Sequence, residues 1–293
     1  MKIAYLGIGE MGVGMARNIL RKHGELTIWN RTREKEYVTT LVQEGARYEG
    51  KIADAVRDAD IVCTCLYSGP STLMVAKETI PAMKKGSILI DLTTIAPRTA
   101  EELAKLYGEE GIDYLDSPVS GGPWGAADGT LSIMIGGDEA AFERARPVYE
   151  MMGGTIVRMG PSGYGAKTKL VNQLITWANQ AIVCEGMMLA ERAGLDLQSL
   201  YNILKNAHAQ SRMLERSVEP FIIPRTFENH TDAALVLKDM NLLRQMASDL
   251  DCEIPISAEA IRFYDLADQE GIAKGNDPAI ILEVMERHNL RKR

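Results

Sequence analysis

Gly7-Ile8-Gly9-Glu10-Met11-Gly12 decides the fold. It follows the strand-like run Ile3-Ala4-Tyr5-Leu6 and opens a helix-like segment over 13–22, the context that gives a Gly-x-Gly-x-x-Gly pattern its meaning. In that setting the first glycine makes a tight turn, the second lets backbone approach a pyrophosphate, and the third lets helix pack on strand. The N–H groups of the helix start face the anion. Gly7, Ile8, Gly9, Glu10, Met11 and Gly12 are therefore expected to bind a dinucleotide.

The next strand-like run, Leu26-Thr27-Ile28-Trp29, ends in Asn30-Arg31-Thr32-Arg33. NAD-selective sheets place a carboxylate at this point to hold the ribose 2′-hydroxyl, and none stands here. Asn30, Arg31 and Thr32 instead offer an amide, a cation and a hydroxyl to a 2′-phosphate, so NADP is expected ahead of NAD. The competing reading makes Arg31 and Arg33 surface residues at a helix start, where cations are unfavourable.

Glycine then divides the chain. Of 26 glycines, 22 lie at or before Gly165, and the same part carries short β-branched runs at 3–6, 26–29, 61–66, 88–92, 114–116 and 131–135. Strands separated by helix-like segments give the rhythm of a mostly parallel sheet covered by helices, an α/β Rossmann architecture. Beyond Gly165 the spacing turns helical, as at 167–193, 231–249 and 257–270, with breaks near Pro220, Pro224, Pro255 and Pro278. The expectation is an NADP-binding domain over 1–162 and an all-α substrate and oligomerisation domain over 163–293. No period of 20–50 residues recurs.

A formal charge of −7 and the lack of any basic run beyond Arg291-Lys292-Arg293 argue against a duplex nucleic-acid partner. The uncharged stretch 170–184 is too short to span a membrane and contains Asn172, Gln173, Asn179 and Gln180. No export signal precedes the first strand, and Cys63, Cys65, Cys184 and Cys252 show no metal or redox spacing. Reduced core cysteines and a cytoplasmic setting are expected. The four histidines, His23, His208, His230 and His288, include no pair with ligand spacing, so no metal is expected.

Two further stretches carry chemistry. From Lys169 to Gln180, the residues Lys169, Asn172, Gln173, Thr176 and Gln180 recur at helical spacing on an otherwise apolar rod. A helix without other charges is normally enclosed, and such a line then needs a polar partner or a wet cleft. Burial disfavours an ammonium, which suits Lys169 to proton exchange with the oxygen of a carbonyl under reduction. The other reading has Lys169 snorkelling from the first turn and the amides satisfying neighbouring helices. The second stretch, Asp116-Ser117-Pro118-Val119-Ser120-Gly121-Gly122-Pro123-Trp124, ends a strand where open α/β sheets place ligands, and Ser120, Gly121 and Gly122 can donate to a carboxylate. A plain β-turn accounts for the segment equally well, and Trp124 either caps a pocket or packs.

These blocks, together with Gly125-Ala126-Ala127-Asp128-Gly129-Thr130-Leu131, Gly163-Tyr164-Gly165-Ala166-Lys167-Thr168-Lys169 and Leu237-Lys238-Asp239, resemble the β-hydroxyacid dehydrogenase family over nearly the whole chain. The family includes 3-hydroxyisobutyrate dehydrogenases, tartronate semialdehyde reductases and glyoxylate/succinic semialdehyde reductases. The resemblance implies a long helix joining the two domains, Lys169 as general acid/base, Asn172 assisting substrate binding, and Ser120, Gly121 and Gly122 holding a small carboxylate. It also implies cofactor contacts at Leu66, Thr94 and Lys238, and a homodimer or homotetramer. Gln173, where many relatives have Asn, and Tyr67, where many have Pro, depart from the pattern. The related 6-phosphogluconate dehydrogenases need a basic cluster for a sugar phosphate, and only Arg212, Arg216 and Arg225 are candidates, read as surface charges. The expected activity is hydride transfer between NADP(H) and a small β-hydroxy acid or its semialdehyde. The alternatives are a glyoxylate/succinic semialdehyde reductase of the same family, an imine reductase, or a non-catalytic dinucleotide-binding scaffold.

Overall fold

The computed structural model describes residues 1–228 and 233–290 and divides into two compact units, Met1–Lys169 and Leu170–Arg293. His230 and the basic run Arg291-Lys292-Arg293 lie outside the described residues.

The first unit begins as the glycine loop requires: β1 (Ile3–Leu6), α1 (Glu10–His23), β2 (Thr27–Trp29), α2 (Glu36–Gln43), β3 (Arg47–Tyr48), α3 (Ile52–Val56) and β4 (Ile61–Thr64). It continues through α4 (Gly69–Thr79), β5 (Ile88–Asp91), α5 (Pro97–Glu109), β6 (Asp113–Asp116), β7 (Val119–Ser120), α6 (Gly122–Asp128), β8 (Leu131–Gly136), α7 (Glu139–Met152) and β9 (Gly153–Gly160). The strands form one sheet in the order β3-β2-β1-β4-β5-β6-β8-β7, with β9 paired to β8. Pairing is parallel from β3 to β6, while β8 runs antiparallel to both β6 and β7.

Both faces of the central strands are buried, which is why their sequences read as near-continuous apolar runs. Side chains alternate between two cores. Ile3, Tyr5, Ile61, Cys63, Ile88 and Ile90 pack with α1 and α7, whereas Ala4, Leu6, Val62 and Leu89 pack with helices on the opposite face. β3, β7 and β9 were not expected from the sequence. β3 and β7 contain two residues each, and β9 opens on Gly153-Gly154 with a largely exposed face, so none carries a buried apolar run.

The helix α8 (Tyr164–Arg192) crosses the division. The second unit continues with α9 (Leu197–Leu204), α10 (Arg212–Ser217), α11 (Ala233–Asp249), α12 (Pro255–Gln269) and α13 (Ile281–Leu290). Its core gathers Leu170, Met187, Val218, Met240, Ile261, Tyr264 and Leu282.

Three expectations need correction. Within one chain the uncharged part of α8 is not enclosed on all sides: Val171, Ile175 and Ile182 are 49, 54 and 59% exposed. Cys252 is exposed rather than a core residue. Arg216 and Arg225 are half-buried structural ions, Arg216 gripping the buried Asp277 through two nitrogens and Arg225 bridging Glu191 and Glu286. Among the described residues, no helix is long and apolar enough to cross a membrane.

Candidate functional site

The glycine loop has the geometry of a phosphate cradle. Gly7 sits at φ +98° and donates its N–H to the carbonyl of Trp29 at 3.0 Å; a Cβ there would meet the Cys65 carbonyl oxygen at 2.3 Å. Only glycine can occupy this position. A Cβ on Gly12 would stand 2.2 Å from the Gly7 carbonyl oxygen, so loop and helix touch there. Gly9 is different, because a Cβ on it would find nothing within 4 Å. The chain is thus packed tightly under Gly7 and Gly12 and left open beside Gly9, where the first-turn N–H groups of α1 lack intrahelical acceptors. A dinucleotide pyrophosphate fits that opening.

Asn30 has partners within the protein. Its Oδ1 accepts from the Ile8 N–H at 2.9 Å, its Nδ2 donates to the Thr32 carbonyl at 2.8 Å, and Tyr48 donates its hydroxyl to the Asn30 carbonyl at 3.3 Å. The amide thus holds the glycine loop and the turn after β2. Arg31, Thr32 and Arg33 are exposed beside it, with the Arg33 guanidinium 5.2 Å above the Tyr48 ring.

Asp91, at the end of β5, organises the neighbouring loops, although the sequence reading gave it no role. Its Oδ1 accepts from the Thr64 hydroxyl at 2.9 Å and the Thr93 N–H at 3.1 Å, and its Oδ2 from the Tyr114 hydroxyl at 2.9 Å. Thr93 in turn accepts the Leu66 N–H at 2.9 Å, so one carboxylate fixes the segments carrying both Leu66 and Thr94. Burial pushes its carboxyl above the usual range, and the donated hydrogen bonds oppose that rise. A charged residue closing an apolar strand was the available signal.

The Ser120 segment is a strand running into a helix rather than a plain β-turn. Val119 and Ser120 pair with Ile133 and Ser132 of β8, then Gly121 at φ +138° and Gly122 at φ +65° turn the chain into α6. Trp124 does not pack, being 67% exposed.

Asp116 joins this strand end to α8. Its Oδ1 accepts from the Gly163 N–H and its Oδ2 from the Ala166 N–H, both at 2.8 Å. Burial, reinforced by the negative charge of Asp91, pushes its carboxyl up to about 6 against the pull of those N–H groups. One helical turn beyond Ala166 is Lys169, which is buried.

In the second unit the polar line of α8 separates into two kinds of residue. Gln180 is structural, accepting from the Ser217 hydroxyl at 2.5 Å and facing Cys184 at 3.3 Å. Gln173 accepts from the Asn172 amide at 3.0 Å and donates to Asp239 Oδ2 at 2.6 Å. Lys238 Nζ lies 2.8 Å from Asp239 Oδ1, so Asn172, Gln173, Asp239 and Lys238 form one chain of polar contacts. Lys169 and Asn172 share a face of α8, one turn apart. Among the described residues no three potential ligand side chains are grouped to hold a metal ion.

Residues 2–160 match the family described as NAD binding domain of 6-phosphogluconate dehydrogenase, and residues 163–285 that described as NAD-binding of NADP-dependent 3-hydroxyisobutyrate dehydrogenase. The 2-hydroxy-3-oxopropionate reductase of Escherichia coli K12 is 34% identical, covering 99% of this chain and 100% of that protein. An NAD-dependent L-serine dehydrogenase of Pseudomonas aeruginosa is 31% identical over 93% and 94% of the two chains. The solved 3-hydroxyisobutyrate dehydrogenase of Mycobacterium tuberculosis with L-serine superposes with a TM-score of 0.87 at 28% identity, covering 97% of this chain and 98% of that one.

Proposed function

The chain belongs to the 3-hydroxyisobutyrate dehydrogenase-type β-hydroxyacid dehydrogenases, and we propose that it transfers a hydride between NADP(H) and a small β-hydroxy acid or its semialdehyde, with Lys169 as general acid and base. The observation that carries this reading is a buried lysine one turn into a helix whose start is hydrogen-bonded to the strand end leading to Ser120.

The nicotinamide supplies hydride chemistry. Lys169 gives a proton to the oxygen that becomes an alkoxide during reduction and takes it from the hydroxyl during oxidation. Ser120 and the Gly121–Gly122 backbone bind the substrate carboxylate, and Asn172 hydrogen-bonds the substrate. Gly7, Ile8, Gly9, Glu10, Met11 and Gly12 hold the pyrophosphate, Leu66, Thr94 and Lys238 make further cofactor contacts, and Asn30 supports the loop from beneath.

The preference for NADP rests on the absent carboxylate after β2 and the exposed Arg31, Thr32 and Arg33. The relatives' names supply the substrate class, since 2-hydroxy-3-oxopropionate and L-serine are both small carboxylates with an oxygen at the β-carbon. Four cysteines without a disulfide suit a reducing, cytoplasmic setting. The exposed apolar face of α8 supports a homodimer or homotetramer.

Initial rates with NADP+ and NAD+ across 3-hydroxyisobutyrate, 4-hydroxybutyrate, glycerate, serine, 3-hydroxypropionate and glycolate test the reading. One of the β-hydroxy acids should turn over, faster with NADP+. Lys169→Ala should lower kcat by roughly 10²–10⁴-fold, the usual worth of a positioned acid/base, while NADPH binding persists. Undiminished turnover in that variant would remove Lys169 from the chemistry.

A further inference from the structure

We propose that Asp116 is a positioning residue for the reaction, its carboxylate fixing the start of α8 so that Lys169 is held at the substrate oxygen. This rests on the reading of Lys169 as the acid and base.

The geometry is specific to a two-acceptor anion at one place. Asp116 ends β6, and each carboxylate oxygen takes one backbone N–H from the entry to α8, Gly163 on Oδ1 and Ala166 on Oδ2. Both donors belong to the group that a helix start leaves without intrahelical acceptors. The grip sets the position and rotation of the first turn, and Ala166 and Lys169, three residues apart, lie on one face of that turn.

The space around the carboxylate is shaped by two further glycines. A Cβ on Gly136 would come 2.5 Å from Asp116 Oδ1 and 2.8 Å from the Gly165 N, while one on Gly165 would come 2.4 Å from both the Asp116 and Met134 carbonyl oxygens. Strand and helix start therefore approach at backbone distance. Asp116 also begins the segment that runs through Ser117 and Pro118 to Ser120. One buried residue thus ties the proposed carboxylate-binding loop to the proposed proton donor, and the Ser117 N–H, donating to the Asp91 carbonyl at 2.7 Å, ties both to the strand beside it.

An ionised carboxylate accepts both N–H groups, whereas an amide accepts with one atom and presents donors with the other. Asp116→Asn therefore loosens one of two bonds without emptying the site. Displacements of about 1 Å in a reacting group cost on the order of 10²-fold in rate. The expected outcome for Asp116→Asn in the full chain is a fall in kcat of roughly 10- to 100-fold, with substrate KM and NADPH Kd near wild-type values.

The decisive readout is the solvent deuterium isotope effect on kcat/KM, measured with 3-hydroxyisobutyrate, glycerate or serine, whichever the wild-type chain oxidises fastest. A misplaced Lys169 makes proton transfer slower relative to hydride transfer, so the effect should grow in Asp116→Asn. A residue that merely supports the fold would not raise it selectively. An unchanged kcat, or a lower kcat with an unchanged solvent effect, overturns the proposal.

Gly163→Ala covers the case in which Asp116→Asn does not fold. Its Cβ would come nearest the flexible Glu101 side chain, at 2.8 Å from Oε1, and at φ +88° it strains the residue whose N–H reaches Asp116. The same isotope signature with a smaller loss in kcat supports the proposal, and wild-type kinetics contradict it. Lys169→Ala, measured alongside, separates the two readings: retained turnover there defeats the acid/base assignment itself, whereas lost turnover with wild-type behaviour of the Asp116 and Gly163 variants defeats only the positioning role.

Discussion

Asn30 and Arg31 are adjacent in sequence yet should fail differently when changed. Both ends of the Asn30 amide are engaged, one of them with the N–H of Ile8 inside the glycine loop, while Arg31 is exposed. Removing a buried hydrogen-bond partner leaves the other group unsatisfied at a cost of about 1–3 kcal/mol. Asn30→Ala should therefore weaken NADP+ and NAD+ alike, by roughly tenfold or more, because the loop that serves both is loosened. Arg31→Ala should weaken NADP+ selectively, since only the 2′-phosphate offers the arginine an anion. Fluorescence titration of the two variants with each nucleotide reads the difference, and a selective loss in Asn30→Ala would return the amide to the 2′-phosphate. The absence of a carboxylate after β2 was legible in the sequence, but the direction in which Asn30 points was not. An asparagine offers the same groups whether it faces a ligand or its own loop.

At the scale of elements, the glycines of α1 carry two separate requirements. A Cβ on Gly14 would stand 2.7 Å from the Ala126 carbonyl carbon and 2.8 Å from the Ala127 N, so α1 and α6 cross backbone to backbone. Asn18, one turn later, reinforces the crossing by donating to the Ala126 and Ala127 carbonyls at 2.8 and 3.1 Å. Gly14→Ala should lower stability by about 1–3 kcal/mol, as forced overpacking does, because backbone cannot step aside as a side-chain end can. Gly9→Ala meets no neighbour and should unfold at the wild-type denaturant concentration, yet bind NADPH more weakly because its methyl occupies the open side of the loop. Urea unfolding and nucleotide titration of both variants check the pair; equal stability losses would show that Gly9 is packed as tightly as Gly14.

The same elements show why parts of the fold could be read early. β1, β4 and β5 are four-residue strands buried on both faces, and α1 follows a glycine turn, so pattern and structure coincide. β9 escaped because Gly153-Gly154 looks like a turn, although its register with β8 runs from Leu131↔Gly153 to Gly136↔Gly160. In α8 the helical period found the polar line, but spacing could not show that Gln180 is satisfied by Ser217 and Cys184. The Ser217 partner is remote in sequence, as is the grip of Asp116 on residues 163 and 166.

For the whole molecule, the exposed face of α8 sets the strongest constraint. Val171, Ile175, Ile182 and Leu189 follow spacings of four and seven residues, with Ala178 filling the intervening position, which is the a/d pattern of a helix meeting another helix. The stretch from 170 to 184 has no charge on any face, a composition that water-facing helices do not keep. A second copy of the chain is the occupant this pattern fits, because one helix presents an apolar seam that a symmetric partner can meet with the same residues. Light scattering coupled to size exclusion should accordingly give a mass that is a multiple of 32.3 kDa, not that of a single chain. Ile182→Glu places a carboxylate in the middle of the seam and should shift the population toward the single-chain mass, with NADPH affinity unchanged because the glycine loop belongs to the other unit. A wild-type mass of one chain, or an Ile182→Glu variant that assembles as fully as wild type, would mean that α8 is covered by something other than its own copy.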